Sequence, residues 1–368
     1  MSVKFDRDSA ESYPTDEFLN IPNGWQGRRP MRILIVKLSS LGDVVHTLPA
    51  VTDAARAMPG LRADWAVEPG FAAIPARHPA VDRVISLPLR RLRRQPLHRR
   101  NWQDVLQGHR ALRAQPYDLI IDAQGLYKSA LISTFGHGAR AGLSRDSARE
   151  PLAALGYHRR IEVDPDLHAI ERVRRLFADA LGYARPTGPP DYGLAQDLQG
   201  DRRQLVFLHG TTWPSKHYPD PAWAELIALA EADGFRVALP WGNAEEKARA
   251  EALTRWSKRS EVLPALSLAA LMDVLAAAGG MITVDSGLGH LACALGRPVI
   301  GVYGATDSRL TGLQGSRGIN LQAQRTCSPC RERICRQLTG PDTVPPCYTT
   351  LPPEAIWSRL KAQMTWRD

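Results

Sequence analysis

Cysteine is scarce, with five residues in a chain of 368, too few to staple a small secreted scaffold that depends on dense disulfides. Long apolar runs are missing too. The most apolar stretch, LSLAALMDVLAAAGGMITV, contains Asp273 and a glycine pair, so no segment of about 20 residues is clean enough to span a bilayer as a helix. The opening MSVKFDRDSAESYPTDEF lacks the apolar centre of a secretory leader. A cytosolic protein is the expectation. Aromatics reach only 7% and rarely interleave with the basic residues. No RNA-binding signature accompanies them, which argues against nucleic acid as a partner.

What is present is ordinary globular material, 44% hydrophobic and 23% charged, enough apolar surface to exclude disorder throughout. Lys plus Arg exceeds Asp plus Glu, 47 against 38, for a formal +9. That balance favours anionic partners such as phosphorylated substrates or an acidic membrane surface. At roughly 150 residues per domain, the length suggests two domains.

Residues 1–30 are polar and without either secondary-structure period, and read as a disordered extension. MRILIVKL, from Met31, reads like a protein start and is apolar enough for a strand buried on both faces. Strands and helices then alternate: a helix in VVHTLPAVTDAARAM, strands in ADWAVE and YDLIIDAQ, and a helix in HAIERVRRLFADALGY. The Gly/Pro-rich LGYARPTGPPDYG is the best linker. Beyond it the alternation restarts with QLVFLHG, PAWAELIALAEADG, FRVALPWG, AEEKARAEALTRW, GGMITVD, GLGHLACALG and PVIGVYG. Two such series imply two doubly wound, Rossmann-like α/β domains, with ligands at the C-terminal ends of the strands.

Polar residues cluster at those strand ends. After the first strand stand Ser39-Ser40-Leu41-Gly42-Asp43. Asp43 reads either as a helix N-cap or as a carboxylate facing the cleft, kept ionised by the helix N-terminus and able to take a proton. His209 to Lys216 bring Thr211, Thr212 and Lys216 to the next site, suited to a diphosphate or to an ordinary solvated loop. Glu245 and Glu246 open a helix, either as dipole-complementing acids or as holders of sugar hydroxyls. Asp285, Gly287, Leu288, Gly289 and His290 precede another helix, where exposed backbone N–H groups make an anion site. Gly287, Gly289 and Ala292 also fit a G-x-G-x-x-A pattern with Asp307 20 residues beyond Gly287, the basis for an alternative reading as an NAD-dependent dehydrogenase. The acidic Asp285 beside the first glycine opposes a pyrophosphate there. Arg90 and Arg91, within LRRLRR, suit an anionic substrate or the inner-leaflet surface, or form a solvated face. Cys327, Cys330, Cys335 and Cys347 follow C-x2-C-x4-C-x11-C, read either as four thiolates around a structural zinc or as a reduced loop. Cys293 reads as core packing.

Taken in order, MRILIVKLSSLGDVVHTLPAVTDA, YDLIIDAQGLYKSAL, AREPLAALGY, FLHGTTWPSKHYP, LPWGNAEE and VDSGLGHLACALGRPVIGVYGATD resemble the lipopolysaccharide heptosyltransferases. SSLGD, DAQGL-KSA and AREPLA look more like the type I branch than the branch adding the second heptose. The likeness runs from Met31 onward; the extension and the CSPCRERIC tail depart from it.

The resemblance implies a GT-B fold facing a central cleft. Residues 31–185 would bind the acceptor and 186–350 the nucleotide sugar, with a helix in 351–368 packing back on the N-terminal domain. It also implies transfer of L-glycero-D-manno-heptose from ADP-heptose to the first Kdo of Kdo–lipid A, with inversion, at the cytoplasmic face of the inner membrane and with no cofactor required. Carried onto this chain, Asp43 is the general base and Lys216 contacts the diphosphate. Ser40, Thr211, Thr212, Glu246, Asp285 and the turn Gly287, Leu288, Gly289 and His290 hold the donor. Lys128 and Arg149 meet the acceptor. Rival readings are transfer to another acceptor, the dehydrogenase, or a non-catalytic nucleotide-sugar- or lipid-binding module.

Overall fold

The computed structural model describes residues 30–194, 200–255, 257–338 and 344–364; the expectation for residues 1–30 falls almost wholly outside them. The first half holds strands β1 (Arg32–Val36), β2 (Arg62–Val67), β3 (Val81–Ser86), β4 (Pro116–Asp122), β5 (His137–Leu143) and β6 (Arg159–Ile161). Its helices are α1 (Leu41–Ala57), α2 (Leu89–Arg94), α3 (Arg99–Arg113), α4 (Tyr127–Ser133) and α5 (Ala169–Leu181). The second half holds β7 (Gln204–Leu208), β8 (Arg236–Leu239), β9 (Glu261–Val262), β10 (Gly280–Val284), β11 (Val299–Tyr303) and β12 (Gly318–Gln322). Around them lie α6 (Asp220–Ala232), α7 (Ala244–Thr254), α8 (Leu268–Ala277), α9 (Gly287–Ala294), α10 (Ser308–Thr311) and α11 (Pro353–Gln363).

Both sheets are parallel, in the orders β3-β2-β1-β4-β5-β6 and β12-β11-β10-β7-β8-β9. These are the same doubly wound order, reversing between β1 and β4 in one sheet and between β7 and β10 in the other. A crevice opens where the order reverses, because successive connections leave in opposite directions there. The apolar run of β1 shows why the sheet is covered on both faces. Ile33 and Ile35 join a core with α1 and α5, whereas Leu34 and Val36 join one with Leu87, Leu112, Ile120 and Ile132. The inner core does not stop at the first half: Leu271, Met272 and Leu275 of α8 and Leu291 of α9 belong to the same apolar cluster. The two halves are thus packed together through α1, α5, α8 and α9. His168 Nε2 meets the Gly312 carbonyl at 3.0 Å, tying the halves further.

Two expectations need correction. Helix α1 begins at Leu41, inside the segment read as a loop, because Ser40 takes the N-cap position and Asp43 the third helical position. The C-terminal helix does not return to the first half. Ile356, Trp357 and Leu360 are buried in the core of the second sheet with Phe207, Trp223 and Leu226, and Trp357 Nε1 donates to Asp233 at 2.8 Å. An amphipathic helix covers whichever apolar face is open within reach, and here that face lies beside α6.

Candidate active site

Asp43 is held by its own helix start. Its Oδ2 accepts from the Ser40 N–H at 2.8 Å and from the Ser40 hydroxyl at 2.7 Å, a reciprocal cap that fixes the carboxylate and satisfies a helix-end donor. Burial pushes its pKa up, but the Lys37 charge and the two Ser40 hydrogen bonds push it down further, so it lies below the ordinary aspartate value. The result is a carboxylate kept ionised.

Two cavities meet at this residue. One, of about 560 Å³, is walled by the first half, with Thr311 the one lining residue from the second: Lys37, Arg90, Gln124, Lys128, Arg149 and Arg172 carry its polar groups. The other, of about 660 Å³, lies between the halves, with Thr211, Thr212, Lys216, Glu246, Asp285 and Gly287 on its wall. Ser40, Asp43, His46 and Arg90 line both. A reactant in either cavity can therefore reach the same carboxylate.

The interhalf cavity is built from strand ends at the order reversal. Lys216 pairs with Asp285 at 2.6 Å and lies 4.4 Å from the Trp213 ring centroid. Asp285 also accepts from the Thr306 hydroxyl at 2.7 Å. Burial opposes its ionisation, but His290 and Lys216 hold its pKa well below the carboxylate range. Ser286 caps α9, whose first turn carries no acid, and Ser286, Gly287 and Leu288 line the cavity, which puts the positive dipole end of the helix at its wall. The approach of α9 to α1 requires Gly287, because a Cβ there would come within 2.8 Å of Leu41 and 2.9 Å of the Gly42 nitrogen. Glu246 accepts from the Gly242 N–H at 2.7 Å. Its carboxylate presses on Gly210, where a Cβ would lie 2.7 Å from Oε1.

The first-half cavity is cationic. Arg90 lies 5.3 Å from the Phe71 ring centroid, and its N–H donates to Glu68 at 2.9 Å. The loop after β4 is shaped by buried Asp122, which accepts from the Tyr157 hydroxyl at 2.6 Å and the Gln124 N–H at 2.8 Å. Lys37 and Arg172 escaped the sequence reading. A lysine closing an otherwise apolar strand was the available signal for the first; nothing separates Arg172 from its neighbours in ERVRR.

Three assignments are corrected. Arg91 turns away from the cavity and pairs with Asp104, since adjacent helical residues do not share a face. Gly289 lies behind the cavity wall, its N–H engaged by Ser286, and a Cβ there would come within 2.6 Å of Thr283. Asp307 is occupied by Arg309 at 2.8 Å and Arg331 at 3.4 Å, which removes the ribose-binding acid from the dehydrogenase reading. Cys327, Cys330, Cys335 and Cys347 are unpaired around a space of about 20 Å³, yet among the described residues no group of three or more His, Cys, Asp or Glu is arranged to hold a metal. Burial, with the neighbouring cysteines, pushes the Cys347 thiol up to about 11.

Comparison with known proteins bears on this architecture. The model of glycosyltransferase family 9 (heptosyltransferase) matches residues 105–339. Lipopolysaccharide heptosyltransferase 1 of Pseudomonas aeruginosa is 46% identical over 351 residues, covering 91% of this chain and 98% of that protein. The solved structure of E. coli heptosyltransferase WaaC with ADP matches at a TM-score of 0.79 and 41% identity, over 90% of this chain and all (100%) of that one. That of the E. coli enzyme with ADP-2-deoxy-2-fluoro heptose matches at 0.76 and 40%, over 90% and 99%.

Proposed function

The chain belongs to glycosyltransferase family 9, the heptosyltransferases, and from that membership we propose how its cleft carries out the transfer. The protein is a GT-B glycosyltransferase that moves heptose from ADP-heptose in lipopolysaccharide inner-core synthesis. The acceptor in this reading is the first Kdo of Kdo–lipid A, and the anomeric configuration inverts. One observation carries the reading: Asp43 borders both a cationic cavity and a cavity fitted for a nucleoside diphosphate.

Inversion by a single displacement needs a base on the face opposite the leaving group. Asp43 takes the proton of a Kdo hydroxyl as that oxygen forms its bond to the anomeric carbon. The bond from that carbon to the diphosphate oxygen breaks, and its electron pair leaves on ADP. Lys216 and the N-terminus of α9 meet the charge gathering on the diphosphate. Asp285 keeps Lys216 in place until the diphosphate arrives, and Glu246 is positioned for sugar hydroxyls. Lys128, Arg149 and Arg90 attract the anionic acceptor.

The acceptor's lipid end also bears on where the enzyme works. Beside Lys128 and Arg149, the side chains of Tyr127, Leu131, Leu152 and Leu155 stand in solvent, Leu155 at 73% exposure. Among the described residues no helix is long and apolar enough to cross a membrane. An apolar rim next to basic residues suits peripheral contact with an anionic lipid surface, here the inner face of the inner membrane. The deciding experiment is incubation with ADP-heptose and Kdo–lipid A, reading the product by mass spectrometry. A mass increase of one heptose with ADP release is expected. ADP bound but never released would leave only a binding module.

A further inference from the structure

The cysteine-bearing tail lies directly behind the Lys216–Asp285 pair. Between Gln322 and Pro346 the described residues form no helix or strand, yet this segment is bonded to two loops of the cleft. The Ser328 hydroxyl donates to the Gly304 carbonyl at 2.7 Å, and the Arg331 N–H donates to the Ala305 carbonyl at 2.7 Å. The Ser215 hydroxyl donates to the Glu332 carbonyl at 2.6 Å, and the Ser215 N–H to the Arg333 carbonyl at 3.3 Å. Ser215 precedes Lys216, and Ala305 precedes Thr306, which donates to Asp285. The segment therefore braces both partners of the pair.

Behind the brace the packing is sulfur. Four of the chain's five cysteines fall between 327 and 347. Cys327, Cys330, Cys335 and Cys347 wall one space of about 20 Å³ together with Ser215 and Ala305, two residues that the brace holds. The Cys347 sulfur packs on the chain at Gly304, where a Cβ would come within 2.9 Å of it. All four are free thiols, Cys347 buried and the other three half-buried. Burial and the three neighbouring cysteines push the Cys347 thiol up to about 11, so it stays protonated and is a poor nucleophile. The half-buried three are the ones an external reagent reaches. Cysteines that share so small a space need little backbone movement to pair.

We propose that Cys327, Cys330 and Cys335 form a redox-sensitive site, in which two of them join as a disulfide and thereby loosen the diphosphate site. The oxidant is a low-molecular-weight disulfide. One protein thiolate attacks it, forming a mixed disulfide and releasing one small thiolate. A second protein thiolate attacks the protein sulfur of that mixed disulfide and expels the other small thiolate. The two protein thiols lose two electrons and two protons in all, and the small disulfide is reduced to two thiols. Drawing two sulfurs to about 2.05 Å pulls the brace from the positions that hold Ser215 and Ala305, so Lys216 and Asp285 lose their alignment. The reduced protein is the active form. The proposal goes beyond the heptosyl-transfer reading and takes from it only the ADP site as a readout.

The test equilibrates the full chain in buffers of rising ratio of oxidised to reduced glutathione. Intact mass should fall by about 2 Da as two thiols become a disulfide, with the linked peptide mapping to 327–335. ADP affinity, read by calorimetry, should weaken about tenfold, the worth of one or two hydrogen bonds, and dithiothreitol should restore both. The combined variant Cys327→Ser, Cys330→Ser, Cys335→Ser should bind ADP within about twofold of reduced wild type, the swaps being nearly isosteric, and should ignore glutathione. Cys293→Ser removes the one cysteine outside the tail and should respond as wild type does. A mass that never changes overturns the proposal, as does a glutathione adduct that no second cysteine resolves, or a disulfide that leaves ADP affinity where it was. So does a metal ion held by the purified protein that masks the thiols until it is chelated. Wild type and Cys293→Ser decide the matter even if the combined variant does not fold. Should the reduced protein not bind ADP, the functional reading fails by itself, and the mass change with its mapping still judges the redox site.

Discussion

Replacing Asp43 by asparagine separates its chemistry from its structural work. The amide oxygen can still accept from the Ser40 N–H that now lies 2.8 Å from Oδ2, so the start of α1 survives; weakening of that cap costs about 0.5–2 kcal/mol of stability. The proton acceptor is gone. A positioned base contributes about 10²–10⁴-fold, or roughly 2.7–5.4 kcal/mol of barrier, and the transfer rate should fall by that factor. ADP binding should hold, since Lys216 and α9 are untouched. The pH profile adds a check. Lys37 and Ser40 hold the Asp43 pKa below its ordinary value of 3.8 against the opposing effect of burial, so the base is lost only as pH falls through that lowered value. The stability this ionised group supplies is likewise present above its unfolded pKa and lost on acidification. The wild-type acid limb of kcat/KM should therefore lie below pH 4. An acid limb near pH 6–7 would point to a histidine base instead, and a variant retaining a tenth or more of the turnover would refute the assignment.

Lys216→Ala should lower the transfer rate about 10²-fold or more, as for removal of one oxyanion donor, and weaken ADP binding by calorimetry; unchanged kinetics would place the diphosphate elsewhere. Arg90→Ala should raise the acceptor KM severalfold. Arg91→Ala should be nearly silent in kinetics and change stability by no more than about 1 kcal/mol, the worth of an exposed ion pair. Leu155→Asp should leave Tm within about 1 °C, as surface changes do. It should also weaken co-sedimentation with phosphatidylglycerol vesicles about tenfold, since one buried leucine is worth about 1.5–3 kcal/mol. Trp357→Ala removes a side chain only 3% exposed; a loss of roughly 3–5 kcal/mol and a Tm lower by about 5–10 °C are expected, with KM values unchanged.

The sequence was most legible where burial is complete. MRILIVKL and GGMITVD lie beside the reversals in sheet order and are apolar almost throughout, because both faces are covered. Elements nearer the sheet margins gave little signal. β9 is two residues long, β6 three, and β5 carries two glycines in HGARAGL, a composition that reads as turn. The positions of Asp43, Lys216 and Asp285 were legible because polar residues interrupt at strand ends. The partition between neighbours was not. Arg90 and Arg91 are indistinguishable in LRRLRR, and only the helix rotation that gives Arg91 to Asp104 separates them. The destination of α11 depended on which distant face was still uncovered, which no local pattern encodes.

The two halves meet through helix N-termini that do opposite work. Helices α1 and α9 each follow a strand bordering a reversal in sheet order, and both open onto the interhalf cavity. By backbone electrostatics alone each is an equal site for an anion. The side chains break that equality. Helix α1 carries Asp43 in its first turn, folded onto its own cap, so its positive end is already answered and a phosphate would meet a carboxylate. Helix α9 has no acid in its first turn, and the acid just before it, Asp285, is bound to Lys216. One end is thus left to receive the leaving diphosphate and the other is committed to a base. Because Gly287 lets them come within van der Waals contact, base and leaving-group site share one cavity although more than two hundred residues of chain separate them.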